Sequence, residues 1–121
     1  APGVNVTLTG GTLRRRTAEM VGHIAERALR DINLDVAIIG TDGIDARAGL
    51  TTYDSSEAYV NRVMLEQARE VWIVADHSKF GPVLPALICP LAQVTRIITD
   101  TGATDAMVAE VMAAGVQVLR V

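Results

Sequence analysis

The stretch Leu34-Asp-Val-Ala-Ile-Ile-Gly40, Thr41-Asp-Gly-Ile-Asp45, Ala46-Arg-Ala-Gly-Leu-Thr-Thr52 decides how this chain is read. Val36 to Ile39 is a β-branched and apolar run that stops at Gly40 and a polar cluster, as a buried strand does where it leaves a sheet. Asp42 and Asp45 therefore follow a strand's carboxyl end. In open α/β sheets ligands bind at that edge, because loop side chains and free backbone N–H groups gather there.

Working outward, the chain has 121 residues, half of them apolar, which is enough for one core of ordinary size and predicts a single domain over 1–121. Aromatic residues are scarce, and Ala, Val, Ile and Leu supply the apolar mass, a mixture suited to helices on a largely parallel sheet. Fourteen acidic against 11 basic side chains give a formal charge of −3, so the chain lacks the basic face of a nucleic-acid binder. Cys89 is the one cysteine, which rules out an internal disulfide and a cysteine-rich zinc site and leaves a buried structural thiol. No apolar run reaches the roughly 18 residues of a membrane span, and no charged-then-apolar leader opens the chain; a cytoplasmic location is the expectation.

On the N-terminal side, Val4 to Leu8 alternates like a strand and precedes Thr9-Gly10-Gly11-Thr12. Residues 17–31 carry Met20, Val21, Ile24, Ala25, Ala28 and Leu29 at helical spacing, with Thr17 as a cap. On the C-terminal side a helix from Ser55 to Glu70 opens with the capping-box pattern Asp54-Ser-Ser-Glu57. Val71 to Ala75 reads as a buried strand, and Pro82, Pro85 and Pro90 make the next stretch irregular or briefly extended. Arg96 to Thr99 is a short strand, Thr104 caps a helix, Gly115 closes it, and Val116 to Val121 is a last strand. Strands alternating with helices predict an α/β fold with a largely parallel sheet and helices on both faces.

Several clusters suit chemistry. Gly10, Gly11 and Thr12 follow a strand, where glycines let N–H groups approach an anion, although two glycines also make an ordinary turn. Arg14 to Arg16 add positive charge beside them or form a solvated run. Asp42 and Asp45 suit the orientation of hydroxyls or acid–base work, and equally suit Asx turns that close their own loop. Asp76-His77-Ser78-Lys79 is a second polar cluster at a strand end, with Lys79 able to take a phosphate or to pair with Asp76. A parallel sheet brings both clusters to one rim. His23 and Glu26 share a helix face without further ligands, so no metal site is predicted.

Taken in order, Thr9-Gly10-Gly11-Thr12-Leu13-Arg14, Gly40-Thr41-Asp42-Gly43-Ile44-Asp45, Gly49-Leu50-Thr51, Glu57-Ala58, Asp76 to Gly81 and Ile98-Thr99-Asp100 resemble the effector-sensing domain of DeoR-family transcriptional repressors. The resemblance runs over essentially all of the chain. It implies a fold similar to ribose-5-phosphate isomerase and the CoA-transferase-like proteins, and a sensor that relieves repression when a phosphorylated sugar binds. It also implies a homo-oligomer, and DNA contact through a helix-turn-helix domain that is not in these residues. The family's domain opens with a further strand and a Ser/Gly/Thr-rich phosphate loop; neither precedes Val4, so an N-terminally truncated fragment is expected.

On this resemblance Gly10, Gly11, Thr12 and Lys79 face the phosphate, while Asp42, Gly43, Asp45, Glu57 and Asp76 complete the ligand site. Where the isomerases follow their aspartates with Lys-Gly-Gly, this chain has Leu50-Thr51-Thr52-Tyr53. The group that would stabilise an enediolate is missing, so binding without turnover is expected, with no cofactor. The alternatives are a sugar-phosphate isomerase or hydrolase using Asp42 and Asp45, and an oligomerisation domain.

Overall fold

Four parallel strands carry the domain, and a row of aliphatic side chains runs across them. A computed structural model describes residues 2–121. In chain order it contains β1 (Thr12–Arg14), β2 (Glu19–Val21), α1 (His23–Arg30), β3 (Leu34–Ile39), β4 (Gly43–Asp45), β5 (Gly49–Thr52), α2 (Ser55–Gln67), β6 (Ala68–Val74), β7 (Ala86–Cys89), β8 (Arg96–Thr99), α3 (Asp105–Ala113) and β9 (Gln117–Arg120). Strands β3, β6, β8 and β9 form the parallel sheet in that order. Ile39, Ile73, Ile97 and Val118 lie opposite one another across it, and Ile73 and Ile97 are wholly buried. The α/β class and the parallel sheet read from the sequence are those observed.

Helix α2 is the second organising element. Asp54 caps it by accepting from Ser56 N at 2.8 Å and Glu57 N at 3.1 Å, satisfying two N–H groups that have no partner inside the helix. Ala58 and Leu65 pack on the sheet core, while Val60 and Val63 pack on Ala25 and Leu29 of α1. Glu57 and Asn61, four residues apart and so on one face, occupy the strip between these contacts and are themselves buried. Glu57 does not reach back to the cap as a capping box would. Its Oε1 accepts instead from Arg14 Nε and Thr17 Oγ1.

Other expectations are corrected. Val4, Val6 and Leu8 are 62%, 78% and 71% exposed and belong to no strand. Their alternation supplies a pattern, and among the described residues no strand pairs with it. The helix expected over 17–31 is shorter, because Gly22 at φ +93° breaks the chain before His23. Thr17, Met20 and Val21 accordingly sit in the β1–β2 hairpin region, which pairs antiparallel. The loop after β3 is ordered as the hairpin β4–β5, and β7 from the proline-rich stretch joins it in a three-stranded antiparallel sheet. Gly43 makes this possible, since a Cβ there would run into Pro82 O and the Thr51 hydroxyl. Cys89 is free and buried in β7, where burial pushes its thiol up to about 11.

Among the described residues the helices leave part of one face of the parallel sheet open. Ile38, Val74 and Leu119, which alternate with the core row, are 61%, 50% and 49% exposed. Among the described residues no helix is long and apolar enough to cross a membrane.

The two faces predict opposite mutational outcomes. Ile73→Ala removes a wholly buried side chain and should lower stability by about 2–5 kcal/mol in urea denaturation. Ile38→Ala on the open face should change it by less than about 0.5 kcal/mol.

Candidate functional site

The chain leaves β3 through Gly40, Thr41 and Asp42, and hydrogen bonds fix each step of that exit. Thr41 is buried and its hydroxyl reaches the carbonyls of both Gly43 and Thr51 at 3.0 Å. Asp42 N donates to Thr51 O at 3.1 Å, and Thr52 Oγ1 donates to Asp42 Oδ2 at 2.7 Å. One Asp42 oxygen is thus held, and the other stands 3.9 Å from Lys79 Nζ. The lysine comes from the short 3-10 turn His77–Lys79 after β6, so two neighbouring strand ends do meet at one rim.

Asp42 faces a cavity of about 330 Å³ whose far wall is α2 and the β1–β2 hairpin. Glu57 is 7% exposed, and its Oε1 accepts from Arg14 Nε and Thr17 Oγ1, each at 3.0 Å. Arg14 Nη1 also reaches Asp54 Oδ2 at 3.1 Å, so one guanidinium ties the hairpin to the first turn of α2. Ala18 turns the hairpin at φ +57°, a left-handed conformation uncommon outside glycine, and Thr17 and Glu19 on either side both line the cavity. The Glu19 carboxyl is pushed up to about 7, first by burial and then by the charge and hydrogen bond of Glu57. Asn61 completes this wall at 6% exposure.

The remaining candidates lie elsewhere. Asp45 accepts from Arg47 N at 2.9 Å and Ala48 N at 2.7 Å, bonds that hold its carboxyl below the usual range and close the β4–β5 turn. It borders a separate recess with Phe80 and Gly81. Gly43 is packed under Pro82 and Thr51, and Gly11 brings its backbone against β2 and α1, where a Cβ would lie 2.7 Å from Val21 O and 3.2 Å from Ala25 Cβ. Gly10 and Thr12 flank it and do not line the Asp42 cavity; Thr12 pairs with Val21 in β1. Asp76 accepts from Ser78 N at 2.7 Å and from the Ser78 hydroxyl, which lowers its pKa, and so caps the turn that presents Lys79. His77 braces the same turn: its Nδ1 lies 2.9 Å from Asp100 Oδ2, and this carboxylate raises the histidine pKa.

Of the residues singled out from sequence, then, Asp42 and Glu57 line one cavity, Lys79 stands beside Asp42 without lining it, and Gly10, Gly11, Thr12, Gly43, Asp45 and Asp76 do not line it either. Glu19 and Asn61 were missed. Asn61 follows Glu57 by four residues on one helix, a spacing that could have revealed it. Nothing in the sequence marks Glu19. Among the described residues no group of three or more His, Cys, Asp or Glu side chains is arranged to hold a metal ion.

The sequence profile described as the DeoR C terminal sensor domain matches residues 1–101. The chain belongs to this family. Over 115 residues the sensor domain is 42% identical to the HTH-type transcriptional regulator GlpR of Haloferax volcanii, covering 94% of this chain and 45% of that protein. Over 95 residues it is 33% identical to the glycerol-3-phosphate regulon repressor of Escherichia coli K12, covering 78% and 38%. The HTH-type transcriptional repressor CsqR of the same organism is 32% identical over 99 residues, covering 82% and 38%. The chain therefore spans less than half the length of these relatives, all of which are named as regulators of transcription.

The Glu19 pair gives a pH signature. A carboxyl that titrates near 7 when folded and near 4.5 when unfolded binds its proton more tightly in the folded state. Its contribution therefore declines as pH rises through that window. Glu19→Gln keeps a donor toward Glu57 without the charge. Its stability relative to the parent should increase from pH 5 to pH 8, as read by urea denaturation at both values.

Proposed function

We propose that this sensor domain binds a phosphorylated sugar or a related phosphorylated metabolite in the cavity between Asp42 and Glu57. The observation that carries the reading is the pairing, at one sheet rim, of the Asp42 carboxylate with a lysine that it does not fully engage: Lys79 Nζ is 3.9 Å from Asp42, beyond a hydrogen bond. Carboxylates suit the hydroxyls of a sugar, and the ammonium suits a phosphate that arrives from the rim. The name of the glycerol-3-phosphate regulon repressor points to the same chemistry, a phosphate ester on a polyol.

Binding, and not turnover, follows from how Asp42 is used. Thr52 donates to it, and the position where an isomerase lysine would stand holds Thr51 and Thr52, both buried. A ligand that prefers one arrangement of the rim shifts the protein toward that arrangement by its differential affinity alone. DNA contact would come from a helix-turn-helix domain outside these 121 residues, and ligand occupancy would relieve repression through it. The subunits of the whole regulator would act as a homo-oligomer.

Differential scanning with glycerol 3-phosphate, hexose phosphates and their unphosphorylated counterparts tests this. A phosphorylated compound should raise Tm where its parent alcohol or sugar does not. Lys79→Ala should weaken that ligand by about 10- to 150-fold, the range for a hydrogen bond to a charged group. Asp42→Asn should weaken it too. Absence of any phosphate-dependent shift, or isomerase or phosphatase turnover that Asp42→Asn abolishes, would overturn the proposal.

A further inference from the structure

Asn61 has no structural task that accounts for its position. It is 6% exposed in the middle of α2, where the neighbouring turns bury Ala58, Val60, Val63 and Leu65. Buried polar groups in folded proteins are almost always hydrogen-bonded, because leaving one unpaired destabilises the fold. Every other buried polar side chain near the cavity follows that rule. Thr41 bonds two carbonyls, Thr51 Oγ1 accepts from Leu84 N, Thr52 donates to Asp42, and Glu57 accepts from Arg14 and Thr17. The Asn61 amide makes no hydrogen bond with any described residue, and among the described residues no side-chain polar atom is both sealed from solvent and unpaired, so the amide reaches open space, and the Asp42 cavity is one of the two recesses that Asn61 lines.

We propose that Asn61 is a ligand-contacting, specificity-determining residue, whose amide hydrogen-bonds a ligand oxygen turned toward α2, across the cavity from Asp42. The chemistry of the wall selects this role. Asp42 and Glu57 offer acceptor oxygens, so they serve ligand hydroxyls that donate. The amide NH₂ is a neutral donor among them, and serves an oxygen that accepts: a carbonyl, a ring oxygen or a hydroxyl. With Glu19 it also lines a second recess of about 290 Å³ bordered by Thr7 to Thr9, so Asn61 stands where the two recesses adjoin. This assignment deepens the reading of the cavity as a sugar-phosphate site and rests on it.

Two measurements on Asn61→Leu and Asn61→Ala decide the matter. The first needs no ligand: an amide held for an outside partner is a liability in the free protein, so Asn61→Leu should raise Tm by about 2–6 °C, and Asn61→Ala should leave it unchanged or higher. A fall in Tm for both variants would mean that the amide holds the fold, and would overturn the assignment. The second is binding of the phosphorylated compound that most stabilises the parent protein. Both variants should bind it about 10-fold or more weakly, with the preference for phosphate over its absence retained, since that preference belongs to Lys79. Unchanged affinity would overturn the assignment and leave the sugar-phosphate reading standing. If no phosphorylated compound stabilises the parent protein, the sugar-phosphate reading fails, and the ligand-free Tm still decides whether the amide awaits a partner.

Discussion

Helix α2 is pressed from two sides, by the sheet core through Ala58 and Leu65 and by α1 through Val60 and Val63, and the site depends on that double burial. A helix with one buried face can turn its polar residues to water. Here the strip between its two apolar contacts is also mostly buried, facing a cavity and not the open surface, and Glu57 and Asn61 lie in it. A buried carboxylate without partners would be several kcal/mol unfavourable, so the fold must bring donors to it. The β1–β2 hairpin does so, with Arg14 and Thr17 both reaching one oxygen of Glu57. The hairpin's position follows from this demand as much as from its own three-residue strands.

The same constraint explains the charge state of the wall. With Glu57 fixed by Arg14, the Glu19 carboxyl beside it faces both burial and a like charge, and holds its proton to about pH 7. The proton lets two carboxyl groups stand as neighbours in a buried wall where two charges would repel. The wall therefore presents less negative charge than its residue types suggest, a condition that favours an anionic ligand approaching Asp42 and Lys79 from the rim.

Much of this was legible in the sequence, and the limits are physical. The parallel strands showed as apolar runs because they are continuous in sequence, and Asp54 and Thr104 announced their helices because capping is local. Long-range demands left no such trace. Val4 to Leu8 alternates like a strand, yet a strand is made by its neighbour, and none pairs with it among the described residues. The run Val36 to Ile39 suggested two covered faces, but an apolar run does not say which face a helix will take, and Ile38 stands open while Ile39 is buried. Glu19 was hidden because its strand was taken for a helix, and Gly22, which separates the two, could be recognised only through its φ of +93°. Asp45 looked equivalent to Asp42 in sequence; two backbone N–H groups of its own turn engage it, as the Asx reading of that loop allowed.

The rim shows why the second polar cluster matters more through its framework than through its number of charges. Asp76 is an acidic neighbour of Lys79 that could have neutralised it, and Asp100 sits against the same turn through His77. Asp76 is instead engaged by Ser78, and Asp100 by the backbone and ring of His77. Both bonds tighten the 3-10 turn, and Gly102 lets the His77 ring lie close, since a Cβ there would overlap it. The turn is held while the lysine at its end is left with Asp42 at 3.9 Å, a separation at which an ion pair between partly exposed groups contributes at most about 1 kcal/mol. A phosphate that approaches to hydrogen-bond distance competes against that weakened attraction and not against a formed bond. The carboxylates that brace the turn are thus what would keep Lys79 available to the phosphate proposed above.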